Sequence, residues 1–304
     1  MSAWKQSLTA AGIRDPRLRQ DYSTQRRTVR RYRRSAYLAC RLLLPPAVQP
    51  YVVAATAVMH HGDDLLDSGP EAGRAGAWAD WERRVRAGLE TGTSADPLIR
   101  TLLHTVTGHP GHREVVETYL GTARTELEFT GFRSEAEYQD YLDAYSMPAF
   151  LLIGALLGPA ADPGGRFLAA CRRLIDGSQR LDFVNDLAED LREGRPGIPA
   201  QTLERFSVTA DDLRAHRASP GLRALVAHEV ERARTDLGAA RDVLELIPRA
   251  HRPLVGTLIE IELLTADAVL APGTDVLRGS VSPSTAGTLK LVLGARREAV
   301  GAQR

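Results

Sequence analysis

The chain has 304 residues, of which 43% are hydrophobic and 25% are charged, and its formal net charge is +1. This composition is ordinary for a globular protein, and it argues against a disordered chain and against a nucleic-acid-binding one. The first residues lack the apolar core of a signal peptide, and the longest apolar run, 149–157, is too short to span a bilayer. The two cysteines, Cys40 and Cys171, suggest no disulfide framework, so we expect a soluble protein of the reducing cytoplasm.

Nearly every periodic segment of the chain predicts a helix. Residues 37–44 are apolar at helical spacing and stop at a Pro-Pro pair, and a second apolar helix runs from Pro50 to about Leu66. Further helices are predicted over about 75–90, 97–106, 112–129, 135–157, 164–193, 210–216, 220–246, 249–270 and 284–299. No repeat or long linker divides the chain. We therefore predict one all-α domain over residues 1–304, with a loosely packed N-terminal segment over residues 1–25.

Two of the predicted helical stretches, 51–59 and 147–157, are apolar over most of their surface. A helix that is apolar all round belongs in the middle of a large bundle. The ordinary explanation is core packing. The alternative is the wall of a central apolar cavity, which would need a polar site at its mouth.

Two aspartate motifs supply candidates for that polar site. Asp63 and Asp67, in HHGDDLLD, are four residues apart and project from one face of a helix. Asp182, Asp186 and Asp190, in LDFVNDLAED, line one face at successive turns. Either motif alone could be a solvated helix face. Both, however, lie on otherwise apolar helices, where carboxylates need cations.

Oxygen ligands of this kind favour a hard ion such as Mg²⁺, which binds one or two carboxylates together with substrate phosphates. Two aspartate helices facing each other across a diphosphate meet that preference. The metal ions would neutralise the departing diphosphate and promote formation of an allylic cation, while apolar walls keep water away from it.

The motifs and their surroundings resemble the squalene/phytoene synthase family over about Ser35 to Pro199. SAYLACRLLLPP, followed after sixteen residues by DDLLD, is similar to the family's first helix and aspartate motif. QRLDFVNDLAEDLREGRPGIP is similar to Q-x-x-N-x-x-R-D-x-x-E-D followed by G-R-x-x-x-P. The resemblance implies the all-α class I isoprenoid synthase fold around a central apolar cavity, allylic prenyl diphosphate substrates, and Mg²⁺ bound at Asp63, Asp67, Asp186 and Asp190.

The chain departs from the family pattern beside both motifs. Thr56 and His60 replace the usual Tyr and Arg before the first motif, and Asp182 and Asn185 replace the Asn and Arg of the second. Coupling two prenyl diphosphates head to head needs ample cationic and phenolic contacts. The lost arginines therefore favour a single prenyl donor beside a different acceptor.

Two further departures lie elsewhere. Ser146, Met147 and Pro148 stand where the family has Val-Ala-Gly lining the cavity, so we expect Pro148 to bend the helix and Met147 to fill space. Gly197 stands in place of the tyrosine in the segment that follows the second motif.

On these grounds the chain most resembles the phytoene-synthase-like prenyltransferases that alkylate aromatic metabolites such as carbazoles in secondary metabolism. The candidate catalytic residues are then Asp182, His60 and Asn185. Asp182, or neutral His60 or His61, would accept the proton of the acceptor. For each histidine, a purely structural role is the ordinary alternative.

Six arginines stand close together shortly before the first motif. The ordinary explanation is a solvated basic helix start, and nucleic-acid binding is a weaker one. The functional alternative is that Arg30, Arg33 and Arg34 bind the substrate diphosphate, with Arg195 and Lys290 as further candidates. The expected partners are an allylic prenyl diphosphate and a small-molecule acceptor, and both a monomer and a homodimer are compatible with the sequence.

Three other functions stay open. One is head-to-head condensation of two prenyl diphosphates. Another is a class I terpene cyclase, because DDLLD also reads as D-D-x-x-D; the second cyclase motif, however, matches only at Asn185, Asp186 and Glu193, and the usual C-terminal Arg-Tyr pair is absent. The third is a non-catalytic subunit or binding protein, against which the retention of all four motif aspartates argues.

Overall fold

The structure, a computed structural model, describes residues 2–215, 219–271 and 275–302. Helices make up 77% of the chain, these ranges contain no β-strand, and the predicted all-α class is confirmed. The α-helices, numbered in chain order, are α1 Ala3–Ala10, α2 Pro16–Tyr32, α3 Arg34–Leu43, α4 Gln49–Asp67, α5 Glu71–Thr91, α6 Pro97–Gly108, α7 His112–Thr122, α8 Glu135–Tyr141, α9 Met147–Leu157, α10 Arg166–Asn185, α11 Leu187–Glu193, α12 Ala200–Arg205, α13 Ala210–Arg214, α14 Pro220–Ala240, α15 Val243–Leu246, α16 Arg252–Val269 and α17 Thr285–Ala302.

Three short segments have other helical geometries. They are 3₁₀-helices at Ala123–Glu128 and Arg249–His251 and a π-helix at Leu142–Ser146. Among the described residues, none of the helices is both long and apolar enough to cross a membrane.

The N-terminal segment packs into the core and is not loose, which corrects the expectation for residues 1–25. Trp4, Leu8 and Ile13 are at most 4% exposed. On α2, which begins after the N-cap Asp15, the buried Tyr22 hydroxyl lies 3.0 Å from Nδ1 of His104 on α6. The N-terminal helices therefore form part of the wall around α4.

Helix α4 runs through the centre of the bundle, where it contacts α2, α5, α6 and α9. Its residues 52–58 are buried all round, as its apolar sequence predicts. Gly62, one residue before the first motif, allows the Tyr119 side chain to approach, because an added Cβ would overlap the Tyr119 hydroxyl. The helix ends at Asp67, and Ser68 is already extended. The first motif therefore occupies the last turns of the central helix.

The stretch predicted as one helix over 135–157 is interrupted by the π-helix. Pro148 has no N–H to bond the carbonyl of Ala144, so the α-helical pattern fails at this point. The Met147 N–H instead bonds the Leu142 carbonyl, five residues back. This wider turn reorients the side chains of residues 142–146.

Helix α10, which carries the second motif, packs closely on α14. A Cβ on Gly177 would lie 2.9 Å from the Ala233 carbonyl oxygen, so only glycine allows this approach. The nearly buried Arg180 makes 2.7 Å contacts to Glu229 on α14 and to Glu135 on α8. Breaking such a buried pair costs about 3–5 kcal/mol. The second motif is therefore held on a rigid support.

Several predicted boundaries differ from the structure. The stretch 164–193 is divided at Asp186, whose φ of −95° and ψ of 10° end α10. The stretch 220–246 is divided between α14 and α15, and α12 was not predicted. The predicted helix 210–216 is present as α13, and its residue 216 lies outside the described ranges.

Candidate active site

The first motif is anchored by a tyrosine of the π-helix. The Tyr145 hydroxyl donates a 3.0 Å hydrogen bond to Oδ1 of Asp63. Burial raises the pKa of Asp63 to about 6, although the Tyr145 hydrogen bond and the charge of Arg33 lower it. Asp63 is therefore a partly desolvated carboxylate. No described side chain forms an ion pair with it.

Asp67 faces a second set of charged groups at the mouth of the site. Nη1 of Arg195 lies 3.7 Å from Asp67 Oδ1 and 3.5 Å from Glu126 Oε1, and Nη2 lies 3.0 Å from Glu193. Glu126 also accepts a hydrogen bond from the Tyr141 hydroxyl. Burial, and then the neighbouring Asp67 carboxylate, raise the pKa of Glu126 well above its usual range. The four charged side chains, those of Asp67, Glu126, Glu193 and Arg195, line a cleft of about 920 Å³.

The second motif spans the break between α10 and α11. Asp186 caps the end of α10, and its Oδ1 accepts a 2.6 Å hydrogen bond from the Ser280 hydroxyl. Burial and the neighbouring Asp186 raise the pKa of Asp190 to about 7, while an N–H of Gly197 lowers it. Oδ2 of Asp190 is buried and has no hydrogen-bond partner in the part of the chain that the structure describes.

Asp182 lies one helical turn before Asp186 on α10. Its side chain is solvent-accessible, yet surrounding protein raises its pKa to about 7, with further contributions from Glu262 on α16 and from Asp186. Burial also raises the pKa of Glu262 to about 7. Arg33 lowers the pKa of both Asp182 and Asp63, so it lies within electrostatic reach of both motifs.

An apolar cavity of about 180 Å³ begins at Arg33 and continues between α3, α4 and α16. Thr56 and Met59 of α4, Ile153 of α9 and Leu258 of α16 form part of its wall. The predicted apolar lining therefore adjoins a charged residue that acts on both motifs.

The motif carboxylates fit Mg²⁺. All candidate ligands are oxygens, several are desolvated enough to resist ionisation, and Asp190 Oδ2 lacks a hydrogen-bond partner among the described residues. A divalent cation would compensate this negative charge. Within the described ranges, no three His, Cys, Asp or Glu side chains converge to hold a metal unaided. Mg²⁺ usually completes its coordination with water and substrate phosphates.

The other predicted site residues differ in their burial and in their contacts. His60 is half-buried, and its ring lies 5.0 Å from that of Tyr32. Both polar groups of the Asn185 side chain bond the backbone of Val281. Arg30 and Arg34 are exposed, beside Arg33.

Lys290 does not join these groups. It lines a separate groove of about 780 Å³ between α16 and α17, together with Glu260, Leu264 and Leu291, and no motif aspartate lines that groove.

Four polar residues around the motifs escaped sequence reasoning: Tyr145, Glu126, Glu262 and Ser280. Glu262 had a detectable signal, because two glutamates two residues apart in the apolar stretch LIEIELL must point to different faces. The other three depend on the π-helix, on a 3₁₀ turn and on a long-range loop contact, none of which leaves a periodic pattern.

Comparisons with known proteins identify the family of this chain. Residues 29–286 match the family model described as squalene/phytoene synthase. The chain is 28% identical over 219 residues to the bifunctional protein CrtB/UppS of Streptomyces coelicolor; the match covers 72% of this chain but only 38% of that longer protein. It is 29% identical over 230 residues to a phytoene synthase of Thermus thermophilus, covering 70% of this chain and 71% of the relative.

Solved structures extend the similarity to nearly the whole fold. Squalene synthase HpnC from Alicyclobacillus acidocaldarius is 25% identical, with a TM-score of 0.73 over 86% of this chain and 95% of that one. A dehydrosqualene synthase, solved with a ligand, is 19% identical, with a TM-score of 0.78 over 93% and 98%, which supports the fold alone. The chain therefore belongs to the squalene/phytoene synthase family and is a prenyltransferase.

Proposed function

We propose that this protein catalyses the Mg²⁺-dependent head-to-head condensation of two allylic prenyl diphosphates. The observation that carries the proposal is the position of Arg195, whose N–H bonds the Asp190 carbonyl at 3.0 Å and whose Nη1 lies 3.7 Å from Asp67 Oδ1, so that the two motifs meet in one site. Two of the proteins named above add support, because they are called a phytoene synthase and a squalene synthase. They favour this reaction over the aromatic acceptor that the sequence suggested.

The two aspartate pairs would hold the metal ions, Asp63 and Asp67 at the end of α4, Asp186 and Asp190 at the start of α11. Bound Mg²⁺ supplies charge neutralisation for the diphosphate as it leaves. Arg33 acts electrostatically on Asp63 and Asp182, and Arg195 lies 3.7 Å from Asp67. Both are suited to bind phosphate oxygens, because guanidinium groups pair well with phosphate.

In the reaction, the C–O bond of the donor breaks, and the diphosphate departs with the electron pair and leaves an allylic cation. A carbon of the second substrate then forms a bond to this cation and loses a proton. The apolar wall formed by Met59, Ile153 and Leu258 keeps water away from the cation. Asp182 is the side chain we assign as proton acceptor, since it is solvent-accessible beside the second motif and its pKa lies near 7.

Prenylation of an aromatic or other small acceptor is the second candidate. The observation that favours it concerns Asn185, whose side-chain amide makes two hydrogen bonds to the backbone of Val281. Asn185 stands where the family pattern has an arginine, so this position supplies no positively charged side chain to the site. A second diphosphate would find fewer positive groups than the family pattern provides.

The test is incubation of the purified protein with Mg²⁺ and a single C15 or C20 prenyl diphosphate, followed by mass spectrometry. We expect a C30 or C40 cyclopropyl diphosphate, or the C30 or C40 hydrocarbon that forms from it when the second diphosphate and one further proton are lost. Product formation only after a small aromatic compound is added would overturn this proposal in favour of the second candidate. Asp186→Asn should abolish turnover, while Asp80→Asn, at an exposed aspartate of α5 that pairs with Arg84, should retain it.

A further inference from the structure

The segment between α16 and α17 is fastened to the second motif by a pair of hydrogen bonds. Nδ2 of Asn185 donates to the Val281 carbonyl at 3.0 Å, and the Val281 N–H donates to Oδ1 of Asn185 at 2.7 Å. The two residues are 96 positions apart in the chain. Both hydrogen-bonding groups of the Asn185 amide are thereby engaged by one residue.

The neighbouring residue reaches a motif aspartate. The Ser280 hydroxyl donates a 2.6 Å hydrogen bond to Oδ1 of Asp186. Because Val281 is held by Asn185, the backbone of Ser280 is held as well, and its hydroxyl is directed at this carboxylate. One hydrogen bond still leaves Oδ2 and a lone pair of Oδ1 free for a cation.

The segment is also anchored by buried residues that come just before Ser280 in the chain. Val276 and Leu277 are at most 5% exposed, and Val281 packs against the same hydrophobic cluster. Gly279, just before Ser280, has a φ of 153°, which favours glycine, and it follows a turn at residues 276–278. Ser280 is therefore presented from a segment that is fixed on both sides.

The residue type at position 185 makes this contact possible. The family pattern has an arginine there, and a guanidinium has donors but no acceptor. It has no group that could accept the Val281 N–H. Asparagine carries a donor NH₂ group and an acceptor oxygen on the same planar amide, which matches the C=O and N–H of a single residue.

We propose that Asn185 is a positioning residue: it docks Ser280 and Val281 so that the Ser280 hydroxyl fixes the orientation of the Asp186 carboxylate for a divalent cation. This inference rests on the proposed role of Asp186 in metal binding. Hydrogen-bonding partners of metal ligands typically change metal affinity by about 10–100-fold when they are removed. Asn185 acts only through Ser280 and Asp186 and does not touch the substrate.

The experiment measures two quantities on the full-length protein without substrate. Hydrogen–deuterium exchange reports the protection of residues 275–284, and calorimetric titration with Mn²⁺ reports metal affinity. The variants are Asn185→Ala and Ser280→Ala. Ser282→Ala is the matched control, because Ser282 is an exposed serine of the same segment for which the described residues provide no hydrogen bond. Thermal unfolding checks that each variant is folded.

We expect Asn185→Ala to increase exchange over residues 275–284 and to weaken Mn²⁺ binding about tenfold. Ser280→Ala should weaken Mn²⁺ binding to a similar extent while protection persists, and Ser282→Ala should change neither quantity. If Asn185→Ala loosens the segment but leaves Mn²⁺ affinity at the wild-type value, the contact is only structural and the inference is wrong. Since Ser280 is exposed, its variant decides the question even if Asn185→Ala does not fold.

Asp186→Asn separates this inference from the proposed function. If this variant loses Mn²⁺ binding while Asn185→Ala and Ser280→Ala bind normally, the metal assignment survives and the positioning role fails. If Asp186→Asn binds Mn²⁺ as the wild type does, the metal assignment itself fails and the inference fails with it.

Discussion

The hydroxyl of Tyr145 donates a 3.0 Å hydrogen bond to Oδ1 of Asp63, and it reaches this carboxylate from a π-helical turn. Such a bond favours the charged form of the aspartate and opposes the burial that raises the pKa of Asp63 to about 6. A residue outside both aspartate motifs thus opposes the effect of burial on the charge of Asp63. π-turns are frequent at functional sites, and here the turn serves this contact.

Tyr145→Phe should raise the pKa of Asp63 further. A hydrogen bond to a charged group contributes about 1.5–3 kcal/mol, and one pKa unit corresponds to about 1.4 kcal/mol. A metal ion must displace the proton, so affinity for Mg²⁺ falls as pH drops through the pKa of Asp63. We expect this fall to move to higher pH by about one unit in the variant, as measured by Mg²⁺ titration from pH 5 to 8. An unchanged pH profile would mean that Tyr145 does not control Asp63.

Stability without metal should decrease as pH rises. Asp182, Asp190 and Glu262 have pKa values of about 7 in the folded protein, above the ordinary values of 3.8 and 4.5. These groups bind protons more tightly in the folded chain, so their contribution to stability is present below about pH 4 and is lost as pH rises through about 7. We therefore expect the melting temperature of the metal-free protein to fall between pH 5 and pH 8.

Mg²⁺ should reverse this loss, because a ligand that binds only the folded state stabilises it. The increase in melting temperature on adding Mg²⁺ should be larger at pH 8 than at pH 5, where protons compete for the same carboxylates. Asp190→Asn should flatten the pH dependence of the metal-free protein. A melting temperature that rises from pH 5 to pH 8 without metal would contradict the assigned pKa directions.

Much of the site was predictable because it rests on local patterns. The spacing of Asp63 and Asp67 on an apolar helix predicted a shared face, and the structure places both on the last turns of α4. The proline at position 148 predicted a bend, but the sequence does not specify a π-turn, whose form depends on packing around it. The contact of Tyr145 with Asp63 therefore had no sequence signal.

The N-terminal helices show the opposite case. Their sequence contains a helical stripe that indicates burial, but the arginine-rich composition outweighed it in the prediction. Leu18, Tyr22, Gln25 and Val29 recur at helical spacing along α2, and all four pack inward or against the core. The many arginines between them favoured a solvated segment. The stripe, and not the average composition, decides where such a helix lies.

Removing Arg195 should affect metal and diphosphate in opposite directions. This guanidinium lies 3.7 Å from Asp67 and 3.5 Å from Glu126 and repels any cation bound there. We expect Arg195→Ala to strengthen Mg²⁺ binding about fivefold without substrate, equivalent to about 1 kcal/mol at a partly exposed site. The same variant should raise the KM for the prenyl diphosphate about tenfold, because a charge-assisted contact to phosphate is lost.

Arg133→Ala is the control for Arg195→Ala. Arg133 is 91% exposed and pairs with Glu137, away from the motif aspartates, so its removal should change neither quantity. If Arg195→Ala weakens both Mg²⁺ and diphosphate binding, the guanidinium supports the fold of the motif and does not compete with the metal.

The Phe183 ring occupies the space above Gly197, and a Cβ at this glycine would overlap the ring. Gly197→Ala should therefore lower the free energy of unfolding by about 1–3 kcal/mol, the usual cost of overpacking. In a Phe183→Ala background, the same substitution should cost less than about 0.5 kcal/mol, because the ring is gone. Urea unfolding of the four proteins gives both values. Gly121→Ala, at a helical glycine with open space around it, should instead stabilise the protein by about 0.5–1 kcal/mol. Equal costs of Gly197→Ala in both backgrounds would mean that the backbone at this position, and not Phe183, requires glycine.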